Sequence, residues 1–448
     1  MKQASKFEFK EKVLKKTLIV VMSICTLSVL PVDAAVPLQQ NVSELIRQAL
    51  NNNPQIRAQQ ANSRSADADV ETARWQFYPT PSLSTERAVS QNQDPTYANG
   101  SQVRYLRLQQ PVYTWGRLTA GLSKAQARQI ANVAAVEESK QQIALRVVQA
   151  YTEWVTATLR HEAFLDGYRE HQKFESLITR RINTGVSPSA DLLLVQSRLA
   201  QIQGDLLQAA SQQEGAKIKL SQLLGKPIND KDLQVEALAD IRSLLARPAQ
   251  SWLDRAESVS PSLARLNAQA TAARLELEER KSSLLPELYV RMEYQSGSPY
   301  TTKSQADQTR LFVGFTSNIG PGLSGLSALD SGKAKYEAAL EDVDAGRRTL
   351  QEQISSDFSS LEQSFNRYAV LTTAQQFSQD LVAGGERQFL AGKKSWQELM
   401  NTSRELVQAK TQIAEMRASL SLLTWRISLF SDQLDAVLQP QYFKEIKP

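Results

Sequence analysis

Apolar residues recur at helical spacing along most of this chain of 448 residues. The spacing predicts two very long helices, at about 118–183 and 326–390, the first some 66 residues or roughly 100 Å long. Shorter helices are predicted at about 43–75, 188–224, 251–284 and 395–430. The last helix of each half carries heptads. Leu192, Leu199, Leu206 and Leu220 share one register, and Val195, Ile202, Ala209, Ala216 and Leu223 the other. Downstream, Leu399, Leu406, Ile413, Leu420 and Ile427 run beside Thr402, Ala409, Met416, Leu423 and Phe430. A period of 3.5 predicts left-handed coiling against a neighbouring helix. Four short segments alternate instead, at about 82–90, 102–113, 288–295 and 310–319, with a polar turn at Asp94-Pro95 and Asn99-Gly100 joining the first two. Leu106, Leu108, Val290, Met292, Val313 and Phe315 fall on one face. Tyr289, Arg291 and Glu293 fall on the other, and the polar Arg291 and Glu293 are expected to tolerate exchange better than the apolar set.

These elements form a tandem repeat with an offset of about 207 residues. Asn53-Pro54 answers Ser260-Pro261, Tyr78-Pro79 answers Leu285-Pro286, Tyr151 answers Phe358, Thr184-Gly185 answers Ala391-Gly392, and Asp191-Leu192 answers Glu398-Leu399. The expected organisation is a first repeat at 35–224, a connector at 225–250, a second repeat at 251–430 and a tail at 431–448. The first and last helices of a repeat, stacked end to end, match the length of its long helix. Four strands cannot close a barrel, and no further element is left to cover their apolar face, so the chain is expected to oligomerise.

Residues 1–34 read as a secretory signal peptide. Six lysines precede an apolar stretch from Thr17 to Pro31, followed by Val32-Asp33-Ala34. The signal carries about +3 of the formal +5, so the mature chain is nearly neutral and nothing in its charge points to nucleic acid. The one cysteine, Cys25, lies inside the signal with Ile24 before it, which argues against lipidation and leaves no thiol for a disulfide or metal site. Nowhere after the signal do about 20 apolar residues run consecutively. Helical spans are therefore excluded, but an alternating barrel is not.

The duplication, the Tyr78-Pro79 and Leu285-Pro286 strand starts, and the turns Arg181-Ile182-Asn183-Thr184-Gly185-Val186-Ser187-Pro188 and Arg387-Gln388-Phe389-Leu390-Ala391-Gly392-Lys393-Lys394 occur in the order found in the TolC family of outer-membrane efflux proteins. The chain resembles that family over nearly its whole mature length. The resemblance implies a mainly α fold with a small β part. Three protomers would build a 12-stranded outer-membrane barrel continued by a long periplasmic helical barrel, in a Gram-negative bacterium. It implies a homotrimer embedded in outer-membrane lipid, a periplasmic adaptor (membrane fusion protein), and an inner-membrane ABC transporter or proton-driven pump. Gly185, Val186, Ser187 and Gly392 would lie at hairpin turns that meet the adaptor. Acidic residues six and nine positions after the second turn glycine form gates in the family. Here those positions hold Glu398 and Asn401, so one anionic ring is expected and a second is not. Asp191 is the counterpart of Glu398, and Lys393, Lys394 and Arg181 would pair with these carboxylates.

No enzyme is expected. Gly320-Pro321-Gly322-Leu323-Ser324-Gly325 matches GxGxxG, but a dinucleotide fold needs a short helix and a second parallel strand after it. The only histidines, His161 and His171, are ten residues apart, which places them apart on a helix and argues against a metal site. No cofactor is expected. The functional expectation is a passive exit duct of a tripartite export system, for type I secretion of a large adhesin-like protein or for small-molecule efflux. The competing class is a soluble periplasmic coiled-coil adaptor, which would leave the four alternating segments without a role.

Overall fold

The computed structural model describes residues 41–87, 89, 102–297, 307–317, 320–439 and 442–445. The expected signal peptide and the Asp94-Pro95 and Asn99-Gly100 turn lie outside these residues. The chain runs α1 (Val42–Asn52), α2 (Pro54–Trp75), β1 (Thr80–Arg87), β2 (Gln102–Tyr113), α3 (Arg117–Asn183), α4 (Ser189–Leu224), α5 (Ile241–Leu245), α6 (Ala249–Val259), α7 (Pro261–Ser283), β3 (Glu287–Ser296), β4 (Asp307–Thr316), α8 (Ser324–Leu390), α9 (Trp396–Ser431), α10 (Leu434–Val437) and α11 (Tyr442–Glu445).

The first helix of each half is broken where one continuous helix was expected. Pro54 and Pro261 lack the N–H that would bond to the preceding turn, and each becomes the first residue of a new helix. The Asn53 side chain caps one by accepting from the Gln55 amide at 2.9 Å, and Ser260 Oγ caps the other from the Leu263 amide at 3.3 Å.

Helix packing makes a single layer rather than a globule. On the strand side the order is α2, α3, α7, α8; towards the opposite end it is α4, α3, α9, α8. The long α3 and α8, each of 67 residues, run the full length, and two shorter helices share each remaining lane. The antiparallel sheet has the order β1-β2-β3-β4, so β2 of the first half pairs with β3 of the second. The sheet-to-helix corners need left-handed backbone: Trp115 and Gly116 make one (φ 53° and 86°), Gly320, Gly322 and Leu323 the other (φ 84°, 57° and 64°). The GxGxxG match is thus this corner.

Three apolar cores stiffen the layer. One, at mid-length, joins α1, α3, α4 and α9 to Ile228, Leu233, Val437 and Leu438 from the connecting and C-terminal segments. The Tyr151 hydroxyl ties the connecting segment on, donating to the Gln234 carbonyl at 2.6 Å and accepting from the Glu236 amide at 3.0 Å. A second core packs Ile241, Leu244 and Trp252 onto Ile354, Leu361, Leu420 and Ile427. The third lies at the helical tips.

Gly167 sets the closest approach of α3 and α9: a Cβ placed there would lie 2.6 Å from Val407 Cγ2. Gly167→Ala gains about 1 kcal/mol of helix propensity but overpacks a contact that costs about 1–3 kcal/mol. A lowered thermal midpoint is expected, partly restored by adding Val407→Ala; a raised midpoint for Gly167→Ala alone would show that the helices separate freely.

Candidate functional site

The sheet sorts its side chains by chemistry. Its register aligns Leu83, Leu106 and Tyr294; Leu108, Met292 and Leu311; Val290 and Val313; and Leu288 and Phe315. Antiparallel partners share a face, so these residues form one continuous apolar surface. Leu106, Leu108, Met292, Val313 and Phe315 are exposed on it, Phe315 by 75%, and Val290 is half-buried among them. At its helical end stand exposed aromatics: Trp75, Phe77, Tyr78, Tyr113 and Trp115. Trp75 packs on Tyr78 at 5.2 Å and Tyr113 on Trp115 at 4.9 Å. An apolar band edged by aromatics matches the lipid face of a membrane barrel.

The opposite face is polar and braced. Arg107 Nε donates to Glu293 Oε2 at 2.7 Å, joining the two halves of the chain, and Glu293 is only 8% exposed. Arg291 stacks on Phe312 at 4.7 Å. Exchange at Glu293 carries a cost of its own, because its removal strands the Arg107 guanidinium. Sequence alternation separates the faces but does not disclose cross-strand partners. Below the sheet, Lys124 pairs with Glu279, Arg128 with Glu276 at 3.1 Å, and Arg265 with Glu138 at 2.5 Å, continuing the α3–α7 seam.

At the other end the two helical hairpins meet. Gly185 and Gly392 both have φ of 73°. The amides of Val186 and Lys393 donate to the carbonyls of Arg181 and Gln388 at 2.8 Å each, the same helix-ending geometry in both repeats. Val186 and both glycines are exposed, while Ser187 Oγ accepts from Arg181 Nε at 3.2 Å. Trp396 locks the hairpins together, with its ring centroid 5.7 Å from Phe174 and 5.0 Å from Phe389, over buried Ile178, Val195 and Leu399. Sequence reasoning missed this tryptophan because its value lies in contacts from three helices.

Glu398 and Asp191 occupy the same position, third residue of α9 and α4. Glu398 is exposed and closes a capping box: its carboxylate accepts from the Ser395 amide at 3.0 Å and hydroxyl at 2.9 Å, while Ser395 Oγ accepts from the Glu398 amide at 3.3 Å. These bonds, and more weakly the Lys394 ammonium, hold its carboxyl below the usual range. Asp191 is shifted the other way, up by partial burial, against the opposing pull of Arg181. The expected pairing of Lys393, Lys394 and Arg181 with these carboxylates does not occur as contact ion pairs in the protomer: none of the salt bridges among the described residues joins them. Arg181 instead lies over the Phe389 ring at 4.7 Å. Lys394 folds back so that its Nζ would lie 3.2 Å from a Cβ at Gly385, and Lys393 and Asn401 are exposed. The Ser395-Trp396-Gln397-Glu398 capping box was readable in the sequence.

His171 is buried, its Nδ1 2.8 Å from the Gly167 carbonyl oxygen and its ring against Phe174; burial lowers its pKa. It is a packing residue of the tip. Among the described residues no group of three or more His, Cys, Asp or Glu could hold a metal, and no helix is long and apolar enough to cross a membrane.

Both flanks of the layer are unfinished. On α8, Val370, Phe377, Leu381 and Leu390 are exposed; on α4, so are Leu193, Leu207 and Ile218. The sheet likewise ends in unpaired β1 and β4 edges. A polar-inside, apolar-outside sheet with open edges, set on a one-helix-thick layer with open apolar flanks, defines one stave of an oligomeric transmembrane channel.

Comparison with known proteins assigns the stave. The chain resembles the outer-membrane channels of the TolC family: the family model described as outer membrane efflux protein matches residues 45–226. It is 22% identical to the alkaline protease secretion protein AprF of Pseudomonas aeruginosa over 75% of this chain and 70% of that one. It is 25% identical to the pyoverdine export outer membrane protein OpmQ of Pseudomonas putida, over 58% of this chain and 55% of that one. The crystal structure of the outer membrane protein VceC of Vibrio cholerae superposes with a TM-score of 0.74 at 15% identity, covering 86% of this chain and 94% of that one. The chain is accordingly an outer-membrane protein, with its sheet in the membrane and its helices in the periplasm.

The face assignment predicts opposite costs for one substitution. Met292→Arg is expected to destabilise the assembled barrel by about 2–4 kcal/mol, and Ser84→Arg, on the lumen face beside Tyr105, by less than about 1 kcal/mol. Equal losses in denaturant titrations of the refolded protein would contradict the assignment.

Proposed function

We propose that three copies of this chain form the outer-membrane exit duct of a type I protein secretion system whose cargo is a large adhesin-like polypeptide. The observation that carries this reading is the similarity, along three quarters of the chain, to a protein named for secretion of an alkaline protease. The duct itself does no chemistry. A periplasmic adaptor engages the tips around Gly185, Val186, Ser187 and Gly392, and an inner-membrane ABC transporter supplies the energy. A second reading, small-molecule efflux driven by a proton-driven pump, is favoured by the similarity to a pyoverdine exporter. Both readings use the same trimer, in which the apolar flank of α8 packs on α4 of the next copy.

Deletion of the gene separates them. Under the secretion reading a very large polypeptide disappears from the medium and accumulates in the cell, while tolerance of toxic small molecules is unchanged. An unchanged set of secreted proteins with lost tolerance or siderophore export would overturn it.

The tip is proposed as the gate, with three copies of Glu398 around the axis. Its capping box fixes the carboxylate on the rigid start of α9, so the charge cannot swing away from a narrow opening. Like charges brought together repel unless screened, and such a ring favours multivalent cations. Glu398→Ala is expected to weaken block by multivalent cations in planar-bilayer recordings at unchanged trimer yield. Lys394→Glu is expected to raise resting conductance, and the effect should shrink as salt rises. Unchanged cation block in assembled Glu398→Ala channels would leave Glu398 a helix cap only.

A further inference from the structure

The membrane-facing side of the sheet does not end the same way at its two rims. The helical rim is aromatic. At the far rim the same face carries Arg104, two residues beyond Leu106, and Arg87, opposite Gln102 in the register. Both side chains are exposed. They are diagonal neighbours on adjacent strands, with Cβ atoms roughly 7–8 Å apart. Neither takes part in a salt bridge or side-chain hydrogen bond among the described residues, unlike Arg107 and Arg310 on the lumen face, which bond Glu293 and Gln308.

Their height places them at a membrane surface. Tyr113, in the aromatic rim, and Arg104 lie on the same strand, about nine residue steps of roughly 3.3 Å apart. At a strand tilt of about 40° this rises roughly 23 Å, the height of the apolar band of an outer-membrane barrel. The helices lie in the periplasm, so Arg87 and Arg104 reach the outer surface, pointing sideways into lipid headgroups rather than into the pore. The outer leaflet there is built from a glycolipid bearing phosphates close to its acyl chains. Guanidinium groups bind phosphate bidentately, and two of them directly above an apolar band fit a headgroup whose acyl chains lie on Leu83, Leu106 and Leu108.

We propose that Arg87 and Arg104 of each protomer form a site for the phosphorylated glycolipid of the outer leaflet, so that an assembled channel carries bound lipopolysaccharide at its rim. Asp307 is the acidic group on the same face at this level, at the far edge of the protomer's sheet. It offers Arg87 a rival partner, because the β1 edge of one protomer adjoins the β4 edge of the next in a closed barrel.

The test uses the full-length channel extracted in mild detergent. Retained lipopolysaccharide is measured as 3-hydroxy fatty acid per trimer, and thermal stabilisation is measured on adding purified lipopolysaccharide or phosphatidylglycerol. The Arg87→Gln/Arg104→Gln double variant is expected to lose retained glycolipid at least about tenfold, as two basic groups at a lipid surface imply. Its stabilisation by lipopolysaccharide should vanish as well. Lysine at both positions should restore part of the retention, and Arg310→Gln, on the lumen face three residues nearer the helical end in the register, should retain as much as the wild type. Asp307→Asn should retain as much or more. Full retention by the double variant would overturn the proposal. So would equal stabilisation by phosphatidylglycerol, which would mark a surface for any anionic lipid. Loss of trimers in Asp307→Asn to the same degree as in Arg87→Gln would instead make Arg87 a seam residue between protomers.

Discussion

Every backbone amide and carbonyl inside a hydrocarbon layer must be bonded within protein. The four-stranded sheet meets this requirement for its inner pairs and fails at β1 and β4. That single shortfall governs the rest. It forbids a stable membrane-inserted monomer, and a sheet edge facing lipid can be satisfied only by the edge of another copy. The helical layer beneath repeats the same incompleteness in apolar surface, with α8 and α4 as its open flanks. Barrel and tube therefore close together or not at all.

The tandem repeat makes this geometry possible without making it symmetric. Each repeat supplies two strands, one long helix and one lane shared by shorter helices, and the halves are stitched by β2–β3 pairing, by Arg107–Glu293 and by the α3–α7 ion pairs. The tips then diverge. The first hairpin starts α4 after Pro188 with no side-chain cap, whereas the second starts α9 with the Ser395–Glu398 box and drives Trp396 between the hairpins. A rigid α9 start and a less restrained α4 start fit a gate in which one hairpin bears the constriction and the other supports it.

Rim chemistry follows the two sides of an asymmetric membrane. Aromatic rings at the helical rim suit a headgroup region where an apolar body and a polar edge are both useful. Guanidinium groups that form no salt bridge among the described residues, at the opposite rim, suit a phosphate-rich surface.

Periodicity alone determined the helices, the strand faces and the duplication, because 3.6-, 3.5- and 2-residue patterns record which side of an element is buried. Hence Leu106, Met292 and Phe315 could be assigned to one face, and the turns at Gly185 and Gly392 could be located, before any coordinates. The helix breaks at Pro54 and Pro261 were not read from periodicity, which runs through both prolines; the missing ring N–H is the signal that marks them. The tertiary structure decided which charges meet. Glu293 is buried by Arg107 from 186 residues away, Arg181 lies on Phe389 rather than against Asp191, and Trp396 is shared by three helices. Partner choice between distant segments depends on register and helix rotation, which shift by one residue without changing any local pattern. A sequence therefore fixes which groups need partners, and only the packed chain selects them.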